Sequence, residues 1–83
     1  MTKAELKKYI EQRDEIEFTY KGKKYSITYF DDKGSTKISF CEFYKSTTDV
    51  ETFDELCNIQ RDGVTVLKMW ESLDPANSEY TIF

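Results

Sequence analysis

Apolar and polar residues alternate strictly from Glu15 to Phe30, with Ile16, Phe18 and Tyr20 at period two and then Tyr25, Ile27 and Tyr29. Such alternation predicts two strands with one buried face each. Lys21-Gly22 lies between the runs, and Gly22 can take the positive φ that a tight hairpin turn demands. A two-residue loop would pair Phe18 with Tyr25 and Ile16 with Ile27, so turn and pattern specify the same register.

The next run, Thr36 to Tyr44, alternates again. Thr36, Ile38 and Phe40 are expected on the core face, and Lys37, Ser39, Cys41 and Phe43 on the other. Asp31-Asp32-Lys33-Gly34 suits a type I turn, with Asp first and Gly fourth. These runs predict a three-stranded antiparallel meander. The polar stretch Lys45 to Asp49 reads as a connection.

Helical spacing flanks the meander. Thr2 and Glu5 form a capping-box pattern before Leu6, Tyr9, Ile10 and Arg13, which predicts a helix at about 3–13. Asp14 ends it. Thr52 and Glu55 repeat the pattern before Phe53, Leu56 and Cys57, which predicts a second helix at about 53–59. Asp62-Gly63 marks a turn. Val66, Met69, Trp70 and Leu73 then follow at i, i+3, i+4 and i+7, a full helical stripe. Thr65 can cap this helix, expected at roughly 65–73, with Val64 as its staple. The β-branched run Val64 to Val66 keeps a strand as the alternative. Pro75 forbids a smooth continuation. The tail, residues 75–83, either adds a fourth strand through Glu79–Phe83 or frays.

The expected fold is therefore α+β: one N-terminal and two C-terminal helices packed on one face of the meander, in a single domain of residues 1–83. The expected core is Leu6, Ile10, Ile16, Phe18, Tyr25, Ile27, Ile38, Phe40, Phe53, Leu56, Val66, Met69 and Trp70. A chain of 83 residues buries roughly 60% of the surface its unfolded form exposes. Its six Phe, six Tyr and one Trp suit so small a core, because each ring buries much area.

Composition removes several function classes. No apolar run reaches membrane-spanning length, and the N-terminus does not read as a signal peptide, which together predict a cytoplasmic protein without a membrane partner. Histidine, the usual general base near neutral pH, is missing, and Gly22, Gly34 and Gly63 are scattered turn residues rather than a phosphate loop. Cys41 and Cys57 form no Cys-x-x-Cys pair, and reduced, apolar roles are expected for both. The Asp31-Asp32 pair falls short of a calcium ligand set. No catalytic residue, metal or cofactor is expected.

The net charge of −4 conceals an asymmetry: residues 1–45 sum to +2 and residues 46–83 to −6. An acidic balance argues against nucleic acid as the partner. It leaves open an acidic inhibitor that mimics nucleic acid. The helix Thr52-Phe53-Asp54-Glu55-Leu56, then Asp62-Gly63 and Trp70, after three aromatic-rich strands, resembles short uncharacterised proteins of Gram-positive bacteria and their mobile elements. That resemblance implies no particular activity.

The candidate site is the sheet face turned away from the core, where Phe30 and Phe43 stand among Lys24 and Lys37. Exposed rings there would mark a contact surface for a protein partner, or for a second copy of the chain. Single-stranded nucleic acid stacking on an open sheet face is the competing reading. The alternative for the two rings is burial beneath a helix or the tail.

Overall fold

The central hairpin forms in the register that its alternation requires. A computed structural model describes all 83 residues. Strands β1 (Ile16–Tyr20) and β2 (Lys23–Asp32) pair antiparallel, with Ile16 opposite Ile27 and Phe18 opposite Tyr25. Lys21 and Gly22 both take positive φ, at 48° and 79°, the conformation that matches the right-handed twist of the flanking strands.

Strand β3 (Ser35–Glu42) pairs with β2 through a second turn of the same kind, Lys33-Gly34, with φ of 52° and 83°. The type I turn expected from Asp31 to Gly34 is not formed. Asp31 and Asp32 continue β2 instead, where the Thr36 hydroxyl donates to the Asp31 carboxylate at 3.0 Å across the pair.

The sheet is wider than a three-stranded meander. Residues expected as a connection form β4 (Thr47–Val50), which pairs with β3 and turns Thr48 and Val50 toward the core beside Phe40 and Ile38. The tail supplies β7 (Tyr80–Ile82), which pairs with β1 at the opposite edge. The result is a five-stranded antiparallel sheet of order β4-β3-β2-β1-β7. Of the two expectations for the tail, the added strand is the one observed.

Three helices complete the α+β fold. Helix α1 (Lys3–Glu11) starts at a complete capping box between Thr2 and Glu5 and stops short of 13, where Arg13 takes a φ of 57°. Helix α2 (Phe53–Asn58) starts at the equivalent box between Thr52 and Glu55, and extended Ile59 ends it. Strands β5 (Gln60–Arg61) and β6 (Val64–Thr65) make a small hairpin over Asp62-Gly63, so of the β-branched run Val64 and Thr65 are strand while Val66 is helical. Helix α3 (Val66–Glu71) begins only then, capped by the Thr65 hydroxyl, which accepts from the Lys68 amide at 3.2 Å.

All three helices contribute to a single core against the inward sheet residues. Every expected core residue is buried except Phe53, which is half-buried at its edge. Cys57, Ile59 and Leu73 join the core as well. Phe18 stacks on Tyr25 at 5.6 Å between ring centroids and meets Trp70 edge-on at 6.4 Å, so one ring links the hairpin to α3.

Candidate functional site

Helices cover only one face of the sheet, because most apolar strand residues, Phe30 and Cys41 apart, fall on one side of the pleat. The other face carries Glu17 and Thr19 from β1, Lys24, Ser26, Thr28 and Phe30 from β2, Lys37, Ser39 and Cys41 from β3, and Thr81 from β7. Ser39 is the one buried polar residue, at the middle of this face, and no buried side-chain polar atom lacks a partner.

All four candidate residues belong to this face, yet they form two pairs rather than one patch. Phe30 lies directly across from Lys37. Phe43 lies beside Lys24, whose carbonyl accepts from the Phe43 amide at 2.9 Å. Five residues of β2 lie between Lys24 and Phe30, a span of roughly 20 Å at the rise of an extended strand.

The tail does not cover Phe30, which is 40% exposed. Beyond β7 the Phe83 amide donates to the Glu15 carbonyl at 2.8 Å, which carries the strand alternation on and puts the 63%-exposed Phe83 on the same open face. Lys37 pairs with Glu51, so its ammonium is raised above its usual pKa and the Glu51 carboxyl is held below its own.

At the other pair, Phe43 is half-buried and the next residue, Tyr44, is fully exposed. Alternation alone gives no role to Tyr44, because it lies past the end of β3 in the turn to β4. Its neighbours come from remote segments. Lys23 reaches Asp62 of the small hairpin at 2.6 Å, and that hydrogen bond raises the lysine and lowers the carboxyl. The Arg61 guanidinium lies 5.4 Å from the centroid of the Phe40 ring and also donates to the Thr48 hydroxyl. The Lys-Gly-Lys-Lys stretch was visible in the sequence, but its meeting with Tyr44 and Arg61 depends on topology.

The cysteines lie apart. Cys57 is buried behind α2, where burial pushes its thiol pKa up. Cys41 is half-buried on the open face, and its thiol donates to the Glu42 and Lys45 carbonyls at 3.0 and 3.3 Å. No group of three or more His, Cys, Asp or Glu side chains is placed to hold a metal ion. No helix is long and apolar enough to cross a membrane. No protein family, curated protein or solved structure matches the chain.

Proposed function

We propose that the chain is a non-catalytic protein-binding module that presents the Phe30–Lys37 end of its open sheet face to a partner protein. One observation carries this reading: the helices cover the opposite face, while the open face holds Phe30 and Phe83, two of the three exposed large hydrophobic residues. Rings left in water on one side of a small domain favour a contact surface. The absence of histidine and of any activated nucleophile motif supports a role without catalysis.

The surroundings of these rings indicate the kind of partner. Glu15, Glu17, Asp32 and Asp49 belong to the same face. Two such acidic faces would repel each other, which favours a different protein with an apolar centre and a basic rim over a second copy. As an accessory factor, the chain would act through this contact alone.

The test compares wild type with the Phe30→Ser, Phe83→Ser double variant in a pull-down from the source cell, alongside light scattering. A basic protein held by wild type and lost by the folded double variant is the expected result, with both chains monomeric. The same proteins held by both would end the reading. A wild-type dimer that the variant dissolves would assign the face to self-association instead.

A further inference from the structure

Three turns meet at the end of the sheet away from Phe30. The Phe43 amide bonds to Lys24, and Lys23 bonds to Asp62, so the β1–β2, β3–β4 and β5–β6 turns form one tip. Lys21, Lys23, Lys24, Lys45 and Arg61 gather there against Glu42, Asp62 and Glu79, which leaves a local charge of +2 in a chain of −4. Lys23 is paired with Asp62, and Arg61 is occupied by Phe40 and Thr48. Lys21, Lys24 and Lys45 have no ion-pair partner.

Lys24 and Lys45 flank a ring that contributes little to the fold. The Lys45 amide closes a turn onto the Glu42 carbonyl at 2.9 Å, and Tyr44, third in that turn, has a φ of 68°. Glycine or asparagine ordinarily takes this backbone region, and a bulky residue in it is an outlier. The Tyr44 side chain is fully exposed, and its ring meets Phe43 edge-to-face at 6.2 Å. Beside the pair, Gly22, Lys24 and Glu42 complete the lining of an open recess of about 400 Å³. Gly22 adds no Cβ to narrow it.

We infer that this tip binds single-stranded nucleic acid, taking one unpaired base into the recess. The base stacks on Tyr44. Lys21, Lys24 and Lys45 neutralise the flanking phosphates outside the recess. Base–aromatic stacking supplies affinity without requiring a long basic groove. A fully exposed ring beside an open recess suits the flat face of a base rather than an acidic peptide. The acidic character of the whole chain is no obstacle, because its carboxylates lie mostly away from the tip. The proposal is independent of the protein contact at Phe30, which lies on the far end of the same strand.

The full chain is titrated into fluorescein-labelled dC12 and dT12, with a labelled twelve-residue polyglutamate as a third probe, and fluorescence anisotropy is read at 50 to 200 mM salt. Saturable binding of both dC12 and dT12 is expected, because stacking on a single ring accepts either base. Three phosphate contacts predict a log–log salt slope of about −2. Tyr44→Gly is expected to lower dC12 affinity about tenfold, the range of a lost stacking contact, without lowering the melting temperature. The Phe30→Ser, Phe83→Ser variant is expected to bind like wild type. Absence of saturable binding at 50 mM salt overturns the inference. So does a folded Tyr44→Gly variant that binds like wild type, or polyglutamate bound as tightly as dC12.

Discussion

The indole Nε1–H of Trp70 donates to the carbonyl oxygen of Thr2 at 2.8 Å, joining residues 68 positions apart. Thr2 also caps α1 through its hydroxyl, and its carbonyl accepts the first helical amide, that of Leu6, at 3.2 Å. The Met1 amino group donates to the Leu73 carbonyl at 2.8 Å just beyond α3. The start of α1 and the end of α3 are therefore held by polar bonds over the fully buried Trp70 ring.

Trp70→Phe removes that donor and part of the ring while keeping an aromatic in place. Loss of the hydrogen bond and a small void together should cost about 2–3 kcal/mol. Urea denaturation followed by circular dichroism measures this directly. A loss below about 0.5 kcal/mol would mean that the indole hydrogen bond contributes nothing net.

Phe18→Ala should be more severe. The ring touches Tyr25, Phe40 and Trp70, so its removal opens the centre of the core. Truncation of a buried Phe typically costs about 3–5 kcal/mol, close to all that a small domain possesses. The variant is expected to be largely unfolded at 25 °C, seen as the loss of near-ultraviolet dichroism.

The two capping boxes allow a comparison. Thr2→Ala and Thr52→Ala each remove one hydroxyl that accepts an N3 amide at 3.1 Å, and each should cost about 1 kcal/mol. Trp70 bonds to the backbone of Thr2, so Thr2→Ala should be no worse than Thr52→Ala. A much larger loss at Thr2 in thermal melts would show that its side chain positions the Trp70 contact.

Stability should vary little between pH 6 and 8: the chain has no histidine, and the shifts imposed by the fold move carboxylates down and lysines, tyrosines and Cys57 up, away from that window. The alkaline limb has a specific origin. Burial raises the Tyr29 pKa to about 12, with Asp14 and Glu15 adding to the effect, and burial raises Tyr25 in the same direction. A tyrosine that ionises more easily when unfolded stabilises the fold fully below its ordinary pKa of about 10, and that contribution is lost as pH rises toward 12. Tyr29→Phe should flatten this limb while losing the 2.9 Å bond to the Asp14 carbonyl. Melting curves from pH 8 to 12 test it; an equally steep limb in the variant would place its origin elsewhere.

The acid limb runs the other way. Hydrogen bonds from the Thr2 backbone and hydroxyl lower Glu5, those from Ala76 and Asn77 lower Asp74, and lysine partners lower Glu51 and Asp62. Their contribution is complete above the ordinary carboxylate range and falls away below it. All four groups are surface-exposed, so the limb should be shallow.

The central hairpin was legible because turn length and alternation specify one register independently. Strand β4 was not, since Thr-Thr-Asp-Val offers one large apolar side chain and owes its pairing to the free edge of β3. The turn at Lys33-Gly34 was misjudged because Asp31 reads as a turn starter, whereas its bond to Thr36 keeps it in the strand. Alternation correctly put Phe30 and Phe43 on one face. Their separation into two ends follows from the β2–β3 register, and the tip needs a third turn from a distant segment. Tyr44 reads as the last residue of the third alternating run, but a turn at positive φ takes it out of the strand.

The sheet order also sets a timetable. Strand β1 is the first strand made, but its outer neighbour, β7, is the last, with every other strand and all of α2 and α3 synthesised between them. Until residues 80–82 arrive, a nascent chain carries β1 with one row of backbone amides and carbonyls open to strangers. Closing that gap joins positions more than sixty residues apart, a contact that is slow to form. The vulnerable period of this protein is thus its own birth, and the short strand that ends it acts as a late seal.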